Sequence, residues 1–476
     1  MMGASDITIP RRDFIKATGA TSVAAGLAGC SAISGESNSG TTLKFITSND
    51  WIASEDVLVD ALYGAGMPDH ITIDSMSMGR TTDTAQAKYR MWLSAGEETP
   101  DVFLIDSGWT KPFITRDLIL NLSSAFPNDV QATVRDDYAE KSVSTAVGSD
   151  GDLYALPLFP DVPTIQYRKD LAQKAGYDLE QHATDPMSWK EFSHAIKDIY
   201  EQNDIEYGFN WQAAAAEQLS CCVFNEYLSS WGGAYFGNPE TNLYQNIGDR
   251  PITVTEDPVL QSLRMARTFI HGTEDPHSLD DFAGGISPAS VLQWTIEPSR
   301  RPFTSGNAVA LRNWPYSIAI GGAESELGTK MGVMPMPYGV TPDTAKHPLT
   351  GGSIAALGGW HLAVNPNSPR KDAALEFLTA TMKDSFQLTM FETVGWLPPK
   401  PELLTTKKAR QVPVMGRYVD QLRFATQHSL ARPVTVLWPQ ESDQIAQAAN
   451  AALANTAPKQ AMKRLENSLH ALEESV

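Results

Sequence analysis

Basic residues are in short supply in this 476-residue chain: 37 lysines and arginines stand against 56 aspartates and glutamates, a formal net charge of −19. A surface of that sign repels phosphate backbones and anionic headgroups, which argues against nucleic acid and anionic lipid as ligands. Cysteine is scarcer still, at 30, 221 and 222 only. Neighbouring cysteines sit badly for bridging each other, so Cys221 and Cys222 read as small buried side chains on a helix. Nine histidines are scattered without paired Cys/His spacing, so neither a metal nor a cofactor is expected. Beyond the first 30 residues no apolar run approaches the roughly 18 residues a membrane span needs. The chain also lacks a Gly-x-Ser-x-Gly elbow, a His-Glu-x-x-His pair, a phosphate loop and a dinucleotide fingerprint. Glycoside hydrolysis needs only two carboxylates across a cleft, and 56 acidic residues always supply two. An exported carbohydrate-active enzyme therefore stands as the alternative to a binding protein.

What the chain does carry at its start is an address. Ile9-Pro10-Arg11-Arg12-Asp13-Phe14 leads into a bland Ala/Gly/Thr stretch and then Leu27-Ala28-Gly29-Cys30. Paired arginines, an apolar stretch too short and weak to span, and small residues before a cysteine read as a twin-arginine export signal over 1–29. Its last step is a lipoprotein cleavage that leaves Cys30 as a lipid-bearing N-terminus. Residues 30–41 hold Ser, Gly, Asn and Thr without apolar periodicity, as a flexible linker does. The expected location is the extracellular face of the cell membrane, lipid-anchored after export.

Residues 42–476 exceed the roughly 250–300 at which single cores stop growing, so two lobes are expected. With 42% hydrophobic and 20% charged residues, the composition is that of a globular protein. Residues 43–47 and 71–76 read as strands, 54–65 and 82–94 as helices, and Val102-Phe103-Leu104-Ile105 as a buried parallel strand. That alternation means an open α/β sheet, whose ligands bind outside the carboxyl ends of the strands, where Asp106 stands. Ser188 and Glu191 form a capping box opening a helix, 217–230 reads as another helix, and Asp257-Pro258 starts a third. Short strands return at 308–312, 332–334 and 361–364, and helices at 368–382, 440–454 and 458–473.

Several aromatic residues stand at the ends of these elements beside glycine, proline or polar neighbours. They occur in Asp106-Ser107-Gly108-Trp109, Leu153-Tyr154-Ala155-Leu156-Pro157, Arg312-Asn313-Trp314-Pro315-Tyr316, Gly358-Gly359-Trp360 and Gly395-Trp396-Leu397-Pro398. Carbohydrate sites need this mixture: the C–H faces of a pyranose lie flat on indole or phenol, while carboxylates, amides and guanidinium groups satisfy its hydroxyls. Most of the 11 tryptophans still belong to packing, but Trp314 and Trp360 stand in loop contexts.

These clusters, with Asp101-Val102-Phe103-Leu104-Ile105-Asp106 and Tyr167-Arg168-Lys169-Asp170-Leu171, resemble the family 1 extracellular solute-binding proteins. More narrowly they look like the sugar-binding lipoproteins of ABC importers, including the trehalose/maltose-binding group. The resemblance implies a two-lobed periplasmic-binding-protein fold of class II, with hinge crossovers near 156–161, 353–360 and 396–401. On that plan lobe 1 is 42–158 with 360–400, and lobe 2 is 159–359 with 401–476. Carried over residue by residue, it implies that Asp106 accepts from sugar hydroxyls, that Asp161 is the acidic site residue after the first crossover, and that Glu217 stands where relatives often hold a glutamate. It further implies that Trp314 and Tyr316 stack on the ring, that Gly359 and Trp360 contact it, and that Arg432 forks onto hydroxyls. Phe159 departs from a tyrosine common in relatives, and Thr84 stands where they hold an arginine, with Arg80 the nearest substitute. The implied protein is a monomeric, non-enzymatic receptor that hands a disaccharide or short oligosaccharide to an ABC permease. A Trp314→Ala change is expected to weaken binding and leave the fold intact.

Overall fold

The computed structural model describes residues 40–79, 82–244 and 247–475. The expected export signal with Arg11 and Arg12, the expected lipidation site Cys30, and Arg80 lie outside the described residues. Among the described residues the strands are, in chain order, β1 (Thr41–Thr47), β2 (Ile71–Ser77), β3 (Val102–Asp106), β4 (Leu156–Asp161) and β5 (Thr164–Arg168). They continue with β6 (Tyr207–Asn210), β7 (Ala308–Asn313), β8 (Met331–Met334), β9 (Ala355–Val364) and β10 (Ser429–Ala431).

β1 buries Leu43, Phe45 and Ile46 completely and pairs in parallel with β2 on one side and β3 on the other. Helices Glu55–Gly64 and Thr82–Ser94 make the crossovers. This is the open α/β unit that the alternation of apolar runs predicts. The sheet then continues through β9, which runs antiparallel to both β3 and β4, and β10 lies parallel to its first residues. The second sheet has the order β6-β7-β5-β8.

The strand expected at 361–364 is the end of a ten-residue strand. Gly358 and Gly359 look like a turn in sequence but lie inside it. A Cβ on Gly359 would stand 2.9 Å from the Phe159 carbonyl oxygen, and its φ is +148°. Glycine is needed there because β4 approaches too closely for a side chain.

Two hydrophobic cores result, giving the two-lobed α/β architecture. One holds Phe45, Trp51, Phe103, Leu156, Phe159, Leu362, Phe377 and Trp396. The other holds Val162, Ile165, Trp189, Trp211, Leu311, Leu357, Leu397 and Trp438. The chain passes from one core to the other between Phe159 and Val162, between Leu357 and Leu362, and between Trp396 and Leu397. Full burial of a large apolar side chain contributes about 1.5–3 kcal/mol, so each core has a substantial interior of its own.

The capping box is present: the Ser188 side chain accepts from the Glu191 N–H, while the Glu191 carboxylate accepts from the Ser188 N–H, at the start of helix Trp189–Glu201. Pro258 stands in the first turn of helix Asp257–His271. The reading of 217–230 as one regular helix is corrected. Leu219–Val223 forms a π-turn, and only Phe224–Ser230 is α-helical. The reading of Cys221 and Cys222 as two separate thiols is corrected with it, because their sulfurs are joined in a disulfide. On a regular α-helix successive side chains diverge by about 100°. The wider turn reduces that divergence.

Candidate ligand-binding cleft

Asp106 ends β3, and its Oδ1 accepts from the Gly108 N–H at 2.7 Å. Arg432 follows β10 directly. Its Nη2 donates to the same Asp106 oxygen and to Ser107 Oγ at 3.0 Å, and its Nη1 donates to Glu217 Oε1 at 3.4 Å. A Cβ on Gly108 would come within 3.0 Å of Arg432 Nε, so this glycine lets the guanidinium lie against the strand end. Burial works against the Arg432 charge, but Asp106 and Glu217 outweigh it and hold its pKa above the ordinary value. Three expected site residues thus meet, and they tie β3 to the segment that enters the π-turn.

Trp360 stands across the sheet from Asp106 on one side and Phe159 on the other. It is half-buried and meets Trp109 edge to face, with ring centroids 5.8 Å apart and planes at 78°. Phe159 is stacked on Trp396 at 4.2 Å and 14° inside the first core. The ring that departs from the family tyrosine therefore packs against a neighbouring indole.

Asp161 ends β4 where the chain leaves the first core, and it pairs across the sheet with Gly358. It is half-buried, and its carboxyl makes no hydrogen bond among the described residues. Burial holds its carboxyl well above the usual range; Arg312 opposes this, while Asp106 and Asp50 add to it.

Arg312, in β7, is wholly buried. Its Nε donates to Glu226 Oε2 at 2.9 Å, its Nη2 to Glu226 Oε1, and its Nη1 to Gln212 Oε1 at 3.0 Å. Its Cζ lies 4.1 Å from the centre of the Trp314 ring. Trp314 is only 6% exposed and belongs to the second core. The expectation that Trp314→Ala leaves the fold intact is corrected for that reason. Tyr316, in the short helix Pro315–Gly321, is half-buried, packs against both cores, and donates its hydroxyl to Glu297 Oε1 at 2.7 Å.

Three residues near Tyr316 and Asp161 were not singled out from sequence. Glu297 and Arg300, in helix Ile296–Thr304, form a two-pronged pair with contacts of 3.1 and 2.6 Å. Burial pushes the Glu297 carboxyl up, but the Arg300 bonds and the Tyr316 hydroxyl outweigh it and hold it below the usual range. Asp50, in helix Asn49–Ala53 just after β1, keeps solvent contact. Its carboxyl is raised by its protein surroundings first and by Glu297 second, against Arg300. Asp50 could have been found by applying the strand-end rule to β1 as well as to β3. No local signal marks Glu297 or Arg300, which tertiary packing brings to Tyr316. A separate surface depression of about 630 Å³, lined by Tyr177, His182, Lys190 and His194 among others, contains none of these residues.

Acidic strand ends, half-buried rings and paired guanidinium groups thus come together where the chain passes between the two cores of a two-lobed α/β fold. Residues 71–381 match the bacterial extracellular solute-binding protein family, and the chain belongs to it. A probable ABC transporter-binding protein of Deinococcus radiodurans is 29% identical over 414 residues, covering 84% of this chain and 86% of that protein. The maltose-bound MalE3 structure of T. maritima aligns with a TM-score of 0.74 at 25% identity, covering 91% of this chain and all of that one. A UgpB structure from Mycobacterium tuberculosis, in complex with glycerophosphocholine, shares the fold at a TM-score of 0.69 and 19% identity, covering 92% of this chain and 99% of that one. Membership of that family favours binding over catalysis for this chain.

Proposed function

We propose that this chain is the lipid-anchored substrate-binding protein of an ABC importer, capturing a disaccharide or short oligosaccharide between its lobes and delivering it to a permease. The observation that carries the reading is the half-buried Trp360. It stands beside Asp106 on the sheet, where strand β9 passes from one core to the other. An indole beside a carboxylate suits a pyranose, with an apolar face for the ring and an acceptor for its hydroxyls. The maltose in the T. maritima relative supports the choice of a sugar. Asp161, Tyr316, Glu217, Arg432 and the Gly359 backbone are the further contacts proposed. Trp314 acts as a wall behind Arg312.

The lobes on this reading are 42–158 with 360–400 and 159–359 with 401–476, and closure occurs by bending at the three crossings. The protein works as a monomer outside the cytoplasmic membrane, exported through Arg11 and Arg12 and held by lipid on Cys30. Calorimetric titration with a panel of mono- and disaccharides tests the function. Binding of a sugar that is recovered chemically unchanged supports it, and silence across the panel, or cleavage of the sugar, overturns it. Metabolic labelling with palmitate tests the anchor, with the label expected on the native chain and lost in Cys30→Ala.

A further inference from the structure

We infer that the cleft selects its ligand by charge, accepting neutral or amine-bearing sugars and rejecting phosphorylated or carboxylated ones. The sugar part of this statement rests on the function proposed above; the charge part rests on how the cleft's own cations are engaged.

Phosphate is bound most strongly by a guanidinium free to make two parallel hydrogen bonds to it. Three guanidinium groups stand among the cleft carboxylates of the described residues, and each already holds a carboxylate. Arg312 is wholly buried, with Glu226 on two of its nitrogens and Gln212 on the third. Arg432 is 2% exposed and is shared between Asp106 and Glu217. Its Nε is buried without a partner, a single donor that suits a hydroxyl and cannot make a fork. Arg300 clasps Glu297 with two nitrogens and gives the third to Thr304 Oγ1 at 3.1 Å. Turning any of them onto an anion would leave Glu226, Asp106 or Glu297 buried or half-buried without its countercharge.

The carboxylates show the opposite condition. Asp50 and Asp161 have no hydrogen-bond partner among the described residues, and each feels other acidic groups nearby: Glu297 for Asp50, Asp106 and Asp50 for Asp161. A ligand hydroxyl can donate to them and an ammonium can neutralise them, whereas a phosphate adds a like charge. Among the described residues, then, these three guanidinium groups are engaged by carboxylates while the carboxyls of Asp50 and Asp161 are not engaged by any cation's hydrogen bond.

The test is a set of titrations at pH 7 on the mature protein with maltose, maltose 6′-phosphate, the glucosamine disaccharide, sn-glycerol 3-phosphate and spermidine, read by calorimetry and thermal shift. The expected result is binding of maltose, retention of the amino-disaccharide within about tenfold, and at least 100-fold weaker binding of maltose 6′-phosphate. Asp50→Asn is expected to narrow the gap between maltose and its phosphate by about tenfold. Phosphate binding within threefold of the neutral sugar overturns the charge rule and leaves the sugar reading standing. Stabilisation by spermidine with no response to any sugar overturns the sugar reading and supports the charge rule. Response to sn-glycerol 3-phosphate alone, or silence from all five compounds, overturns both.

Discussion

Asp106 and Arg432 stand 326 positions apart in sequence and meet as a nearly buried ion pair at the end of β3. Arg432 also reaches Glu217, so one guanidinium serves two acidic groups, with Ser107 completing its contacts. Removing one member of such a pair is expensive because the remaining charge is stranded away from water. Arg432→Met is expected to destabilise the protein by about 3–5 kcal/mol in urea denaturation. Asp106→Asn keeps the shape and one acceptor, so its main effect is expected on ligand affinity, a loss of at least about tenfold. An Arg432→Met protein as stable as the parent would show that the pair carries little weight.

Trp314 and Trp360 are expected to separate in their effects. Trp314 is core, with Arg312 over one face, and Trp314→Ala should cost about 3–5 kcal/mol of stability, as buried aromatic truncations do. Trp360 is half-buried and rests edge-on against Trp109. Trp360→Ala should lower sugar affinity by about 1–3 kcal/mol with a smaller effect on unfolding, since less of the ring is packed. Paired calorimetry and urea melts check this. Equal stability losses in the two variants would contradict it.

The parallel β1–β2–β3 unit was readable because its strands are short continuous apolar runs separated by helices of ordinary length. The place of Asp106 at the end of β3 was readable for the same reason. The path of β9 was not, because Gly358 and Gly359 interrupt the apolar pattern at the place where β4 comes too near for a Cβ. The Cys221–Cys222 bridge was hidden by the π-turn, which no local preference announces. Glu297 and Arg300 were invisible for a different reason: their role depends on Tyr316, which packing sets beside them.

Away from the cleft, Arg250 is buried between Glu441 and Glu473, with its guanidinium 3.6 Å from the centre of the Phe236 ring. Burial first, and Glu473 beside it, raise the Glu441 carboxyl to about 8 despite Arg250. The folded protein thus holds a proton that an unfolded chain, at the ordinary glutamate value of 4.5, would release. Its contribution to stability is full below pH 4.5 and is lost as pH rises through 8, by at most about 1.4 kcal/mol per unit. Glu441→Gln imitates the protonated form. Its melting temperature is expected to match the parent at pH 5 and exceed it at pH 9; a variant equally alkali-sensitive would refute the assignment.

His361 lies in β9, where its Nε2 shares a 2.7 Å hydrogen bond with Thr145 Oγ1. Burial lowers its pKa from 6.5 to about 3. Here the unfolded chain takes the proton first, so stability falls as pH drops from 6.5 toward 3, by at most about 1.4 kcal/mol per unit. His361→Gln removes the titration and should flatten that acid limb in urea melts taken between pH 4 and 7. A limb of unchanged slope would place the acid sensitivity elsewhere.

The most direct measurement is a crystal structure of the mature chain grown with maltose. The account predicts the sugar between the two cores, one ring face on Trp360 and hydroxyls on Asp106 and Asp161. Maltose seated instead in the depression beside His182 and His194, or a cleft that stays empty at saturating sugar, would contradict it.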